Sequence, residues 1–110
     1  MGKVIGLGGL FLKSPDPDAL RAWYARVLGL AFDDWGGLVF LPQDAANHPG
    51  AGTVFSPFAQ SSEYFAPSTK EFMFNLMVDD LESVLARCAA EGVEPVKTFP
   101  AEANGLFAHI

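Results

Sequence analysis

Apolar side chains recur at the i, i+3, i+4, i+7, i+8 spacing of an amphipathic helix in two stretches of the chain. In the first stretch they are Leu20, Trp23, Tyr24, Val27 and Leu28. In the second they are Leu81, Val84, Leu85, Cys88 and Ala89. Each stretch therefore predicts a helix that buries one face.

Capping residues mark the ends of both predicted helices. Asp16 suits the N-cap of the first helix, and Gly29 suits its C-terminal end. Asp79 or Asp80 caps the second helix, which ends at Gly92. Asp16 and Asp79 are 63 positions apart, as are Gly29 and Gly92. This shared offset indicates an internal duplication.

Apolar runs without helical spacing predict strands. They cover 4–12, 30–34, 37–42, 52–56, 71–78, 94–99 and 105–110, with a tight turn at 35–37. The order is βαβββ followed by βαββ. The predicted fold class is α+β, with one module over 1–57 and a second, which lacks its last strand, over 71–110. The Pro- and Ser-containing segment 58–70 is the linker between the two modules.

Composition narrows the possible partners. The chain has 110 residues, half of them apolar, and a net charge of −6 with only seven Lys and Arg. This balance argues against nucleic acid, whose affinity depends on basic residues at phosphates. No apolar run reaches the roughly 18 residues of a membrane span, and the N-terminus has no signal-peptide pattern. A single cysteine, Cys88, suits a reducing compartment, so we expect a cytoplasmic protein.

Three glycines near the N-terminus raise the question of a phosphate-binding loop. In such a loop the glycines follow a strand and open a helix, with the third at a fixed spacing. Here Gly6, Gly8 and Gly9 lead into an apolar run, and the third position falls on Phe11. We interpret the segment as a strand whose glycines stand where a side chain would obstruct a close neighbour.

Three stretches, FLKSPDPDALRAWYARVLGL, FMFNLMVDDLESVLARCAAEGVEP and GLFAHI, resemble the vicinal oxygen chelate superfamily. This superfamily includes glyoxalases, bleomycin-resistance proteins and extradiol dioxygenases. The resemblance covers nearly the whole chain and implies two modules that curve into a half-open mixed sheet with a concave cleft. In the metal-dependent members of the superfamily, His, Glu or Gln side chains on the first and last strands hold a divalent ion in that cleft.

Matched to this pattern residue by residue, the metal positions hold no suitable ligands. The first-strand position falls on Gly9, which has no donor, and its counterpart in the second module falls on Met73. A thioether is a poor ligand for such ions, and strand 52–56 offers neither carboxylate nor imidazole. We therefore expect neither metal nor cofactor, and we interpret Gly9 as a vacated metal position that leaves room in the cleft.

Strand parity predicts the side chains that line the cleft. On 71–78 the uniformly apolar face packs on the helices, so the opposite face lines the cleft. The predicted ligand-binding residues are Gly9, Phe11, Phe55, Met73, Asn75, Met77, Phe107 and His109. Trp35, Tyr64 and Phe65, in loops, either cover the mouth of the cleft or form dimer contacts. Such an aromatic and sulfur-rich lining suits a mostly apolar small molecule.

Three of these residues have an alternative structural interpretation. Met73 and Met77 fit equally well as packing at a dimer interface. His109 is the candidate catalytic residue, a general base with an ordinary pKa near neutrality. No partner carboxylate lies near it in the sequence, which favours a structural histidine. Asn75, a polar residue in an apolar strand, favours contact with a ligand.

Two classes of function follow. The first is a metal-free protein of the bleomycin-resistance type, which binds a small molecule and leaves it unchanged. The second is an enzyme, either a lyase or isomerase that uses His109 and Asn75, or a metal-dependent dioxygenase or glyoxalase with relocated ligands. The vacated metal positions favour the first. In both cases the resemblance implies a homodimer.

The last strand of the second module is missing from the predicted order. In the superfamily that strand lies inside the sheet, beside the first strand of its module. Its loss exposes backbone donors and acceptors on both neighbours, 71–78 and 105–110. We therefore expect a natural chain longer by about 10–15 residues, or another segment that fills this place.

Overall fold

The computed structural model describes residues 2–99 and 106–110. Along the chain it contains helix α1 (Pro17–Leu28), helix α2 (Pro42–Ala45), helix α3 (Leu81–Ala90), strand β1 (Lys97–Thr98) and strand β2 (Ala108–His109). The structure is therefore mixed α and β. Within the described residues, no helix is both long and apolar enough to cross a membrane.

Local signals fix both ends of α1, as predicted. The Asp16 side chain accepts a hydrogen bond from the backbone N–H of Ala19 at 3.0 Å, and Pro17 occupies the first turn, where its missing N–H has no cost. Gly29 ends the helix with φ +71, a left-handed conformation that favours glycine. The sequence prediction of this helix is confirmed.

Helix α3 is capped by Asp80, one of the two aspartates that the sequence left open. Its carboxylate accepts hydrogen bonds from the backbone N–H of Ser83 at 3.2 Å and from the Ser83 hydroxyl at 2.9 Å. The bond from the backbone, and then that from the hydroxyl, lower the pKa of Asp80 below its ordinary value. The helix ends at Ala90, and Gly92 follows with φ +81.

The two long helices pack against each other, and this contact contains the most deeply buried side chains. Val27 of α1 and Cys88 of α3 are both fully buried. The Arg87 side chain of α3 reaches the C-terminal end of α1 and donates a hydrogen bond to the Ala25 carbonyl at 3.3 Å. A cation at that end complements the helix dipole. The C-terminal turns of the two helices therefore lie together.

The two strands form an antiparallel pair within the predicted ranges 94–99 and 105–110. Lys97 pairs with His109, and Thr98 pairs with Ala108. The backbone N–H of Val96 also donates to the His109 carbonyl at 2.7 Å. The first residue of the predicted strand 105–110 lies outside the described residues. The observed pairing places His109 directly opposite a lysine.

The other predicted strands form no regular secondary structure in the described residues. These segments are 4–12, 30–34, 37–42 as far as Leu41, 52–56 and 71–78, and several of their apolar side chains are exposed. An alternating sequence pattern predicts which face of a strand is apolar. It does not predict the neighbouring strand that must accept and donate its backbone hydrogen bonds. Of the predicted sheet, the pairing of β1 with β2 is the part seen in the described residues.

A tight turn and the short helix α2 lie between α1 and the linker. The predicted end of a strand at Pro42 is wrong, because Pro42 begins α2 instead, and Asp44 accepts a hydrogen bond from the backbone of Leu41 at 3.1 Å. The predicted turn at 35–37 is confirmed: the N–H of Gly36 donates to the Asp33 carbonyl at 2.9 Å.

The contact between the helices predicts a clear difference between two identical substitutions. Val27→Ala removes buried methyl groups and leaves a void, so it should lower the free energy of unfolding by about 2 kcal/mol. Val54→Ala, at a side chain that is 84% exposed, should lower it by less than about 0.5 kcal/mol. Urea denaturation followed by circular dichroism measures both, and equal effects would show that the helix pair is not the stable centre of the fold.

Candidate functional site

Aromatic side chains of the linker pack against the β1–β2 pair. This aromatic cluster consists of Phe58, Tyr64, Phe65, Phe99 and His109. Tyr64 contacts the other four rings, and the His109 ring has its centroid 5.0 Å from that of Tyr64 and 5.0 Å from that of Phe99. The Tyr64 contact is edge to face, at an interplanar angle of 81°. Such contacts bring an otherwise irregular linker onto the strands.

Lys97 fixes the linker with hydrogen bonds. Its Nζ atom donates to the carbonyl of Tyr64 at 2.9 Å and to the carbonyl of Glu63 at 3.2 Å. The same ammonium group lies 5.8 Å from the centre of the Tyr64 ring, within the range of a cation–π contact. Because Lys97 pairs with His109 in the strand register, one residue holds the linker and also places a positive charge beside the imidazole.

The environment of His109 favours its neutral form. Burial, and to a smaller extent the positive charge of Lys97, lower the pKa of His109 below its ordinary value. Its Nδ1 atom is buried, and no hydrogen-bond partner reaches it in the described part of the chain. At neutral pH the ring is therefore an uncharged imidazole that has one nitrogen lone pair and one N–H available for hydrogen bonding.

A half-open cavity of about 330 Å³ lies between the linker and the strands. Its walls are mostly apolar, and its polar side chains are those of Ser68 and His109. It is lined by Phe65, Pro67, Ser68, Met73, Val96, His109 and Ile110. This volume is near the lower end of the range for small-molecule sites, and a mostly apolar wall with a few polar groups is typical of them.

The structure brings two of the predicted site residues, Met73 and His109, to this cavity. Phe55 instead lines a second cavity of about 350 Å³, with Val4, Gly6, Leu7 and Thr53. Asn75, Met77 and Phe107 line neither of the two. The predicted site residues are therefore divided between different places in the structure.

The space above Gly9 is taken by a neighbouring side chain. A Cβ atom at Gly9 would lie 2.9 Å from the Cζ atom of the Phe11 ring, which is itself 91% exposed. The Phe11 ring therefore lies over Gly9. The absence of a side chain at position 9 accommodates the Phe11 ring here.

Sequence reasoning did not identify Lys97, Ser68 or Val96 as site residues. Lys97 had one detectable signal, since it is a charged residue within the predicted strand 94–99. Its contact with Glu63 and Tyr64 joins positions more than thirty residues apart. A local sequence pattern cannot predict a contact between residues so far apart.

The cavity does not fit the divalent metal ion of the superfamily. Its potential donors are one imidazole, one hydroxyl and one thioether, from His109, Ser68 and Met73. The ammonium group of Lys97 beside the imidazole further disfavours a cation. Across residues 2–99 and 106–110, no three His, Cys, Asp or Glu side chains lie together in a group that could hold a metal ion.

Comparison with models of known protein families shows the family to which the chain belongs. The model of the glyoxalase-like domain matches residues 9–109. The protein therefore belongs to the glyoxalase-like domain family, and with it to the glyoxalase and vicinal oxygen chelate superfamily. Searches of curated proteins and of solved structures returned no match.

Proposed function

We propose that the protein is a metal-free binding protein for a small, mostly apolar molecule. The observation that carries this proposal is the cavity at which Met73 and His109 meet. Family membership favours a small-molecule site, but a shared fold does not specify its chemistry. The lining of the cavity supports a binding site for an apolar molecule, since it offers flexible sulfur and aromatic groups for apolar contact and one neutral imidazole for orientation.

Binding would use three parts of the chain. Phe65 and Pro67 come from the linker, Met73 from the segment that follows it, and Val96 and Ile110 from the region of the strand pair. Apolar ligand surface that enters this space leaves water, which provides the main favourable term. His109 contributes the directional contact. Nothing in this scheme requires a change in the ligand.

An enzyme of the same superfamily is the alternative function. His109 would then be the catalytic base, because a neutral imidazole can accept a proton. The lowered pKa of His109 keeps it in the reactive form at neutral pH but also makes it a weaker base. Asn75, the partner expected from the sequence, does not line the cavity. These features favour binding without catalysis.

For the fold, we propose that residues 1–57 and 71–110 are two βαβββ-type modules, the second without its last strand, that form one curved mixed sheet with a concave cleft. The helix contact supports this, since Arg26 of α1 approaches Glu91 after α3 at 3.6 Å, while Arg87 of α3 reaches α1. Each helix thus directs an arginine of its last turn to the C-terminal end of the other. An experimental structure in which the segments 4–12 and 71–78 lie in separate sheets would contradict the proposal.

We further propose that the protein is a cytoplasmic homodimer. The free thiol of Cys88 supports a reducing compartment. Exposed apolar side chains such as Val4, Ile5 and Phe55 provide surface that a second copy would bury. Sedimentation at tens of micromolar should therefore show a dimer, and a monomer would contradict this part of the proposal.

Methionine-methyl NMR tests the binding function directly. In titrations with a set of small apolar molecules, we expect the Met73 methyl signal and the His109 ring signals to shift together. Met73→Gln should weaken binding about 3- to 10-fold, because it replaces a polarizable apolar contact with an amide. The matched control is Met77→Gln, at an exposed position outside the cavity, which should leave binding unchanged.

The same titrations separate the alternatives. Prior treatment with a chelator should not change the affinities, and the ligands should be recovered unaltered. A stoichiometric metal ion that survives dialysis and is needed for binding would contradict the metal-free proposal. A converted ligand would favour the enzyme. An effect of Met77→Gln as large as that of Met73→Gln would place the site on the face predicted from strand parity.

A further inference from the structure

One buried polar atom at the cavity has no partner within the protein. Among the described residues, Nδ1 of His109 is the buried side-chain nitrogen or oxygen atom without a hydrogen bond. Buried polar groups are paired in the great majority of folded proteins, and an unpaired one has a cost in free energy. The imidazole that carries this atom also lines the cavity. A molecule in the cavity would supply the missing hydrogen bond once the side chains that cover this buried atom move aside.

The surroundings of the imidazole favour a flat ligand. Tyr64 and Phe99 hold the His109 ring in place from two directions, each with its centroid 5.0 Å away. Phe65 and Met73 add an aromatic and a thioether surface to the cavity wall. Aromatic rings pack well against both kinds of surface. The volume of about 330 Å³ suits a molecule of one or two fused rings.

The charges near the imidazole determine whether it accepts or donates the hydrogen bond with a ligand. The charged group that faces His109 from the paired strand is Lys97, and the linker contributes Tyr64 and the Glu63 carbonyl, which accepts from Lys97. The positive charge of this cross-strand neighbour opposes the arrival of a second cation, whether a proton on the ring or a cationic ligand. It leaves the nitrogen lone pair of the neutral ring as an acceptor.

We infer that the cavity selects a neutral, planar aromatic molecule with one N–H or O–H donor, which hydrogen-bonds to the His109 imidazole. This inference rests on the proposed binding function and names the ligand class for the same site. The aromatic walls provide most of the affinity, and the imidazole provides the discrimination between ligands of equal shape.

Three bicyclic probes of similar size test the inference by NMR titration at pH 7.5. Indole has an N–H donor, indene replaces that group with carbon, and isoquinoline offers only an acceptor. Indole should bind about 3- to 10-fold more tightly than indene, which corresponds to one net hydrogen bond. His109→Phe retains a ring in the cluster and should reduce this preference to less than about 2-fold. The matched control, His48→Phe, replaces a histidine outside the cavity lining and should retain the full preference.

The possible outcomes distinguish the inference from the proposed function. If indole and indene shift the Met73 and His109 signals with equal affinity, the ligand class is wrong and the binding function stands. If isoquinoline binds most tightly, the imidazole acts as a donor and the inference is overturned. If none of the three probes shifts these signals at millimolar concentration, the inference and the binding function both fail.

Discussion

The candidate site depends on the contact between the ammonium group of Lys97 and the backbone of the linker. Its hydrogen bonds to the successive carbonyls of Glu63 and Tyr64 join the linker to the β1–β2 pair. Hydrogen bonds from a charged donor are stronger than those between neutral groups. The linker that they hold carries Phe65, Pro67 and Ser68, three of the seven residues that line the cavity. Without this contact, the linker would keep only its aromatic packing on the strands.

The same charge determines the chemistry of the cavity. Lys97 is the direct neighbour of His109 in the strand pair. Besides burial, the ammonium group that holds the linker therefore also lowers the pKa of the imidazole. Burial and this charge favour the neutral ring, and the absence of a hydrogen-bond partner at Nδ1 leaves the ring able to interact with a ligand. A positively charged neighbour and few donors are unsuitable for a divalent cation. Binding of an uncharged molecule is consistent with all of these features.

Helices α1 and α3 could be predicted because their signals are local. Asp16 and Gly29 act within a few residues of their own helix, and their geometry agrees with the sequence. The internal repeat is less regular than the glycines indicate: the observed N-caps, Asp16 and Asp80, are 64 positions apart, and Gly29 and Gly92 are 63 apart. The caps of α3 and α1 therefore do not follow one offset, because each cap is chosen by its own hydrogen bonds.

The strands and the site were less predictable because they depend on distant contacts. Period-2 patterns identified apolar faces but not partners, and only the ranges that contain β1 and β2 hold a strand pair in the described residues. Met73 and His109 both line the cavity, whereas Asn75 and Met77, predicted from the same parity, do not. The contact of Lys97 with the linker joins segments that are far apart in the sequence. Patterns of residue spacing describe only neighbouring positions and cannot predict it.

The pKa of His109, measured by NMR in the native protein and in Lys97→Met, tests the role of Lys97 most directly. Methionine retains an unbranched apolar side chain but removes the charge and the hydrogen bonds to the linker. We expect a pKa of His109 below the ordinary value of 6.5 in the native protein and a higher pKa in Lys97→Met, because repulsion of the imidazolium is lost and the ring becomes more hydrated. Lys13→Met, which removes a charge from the N-terminal segment, should leave the pKa unchanged. A native pKa at or above 6.5, or one that Lys97→Met does not raise, would contradict the account.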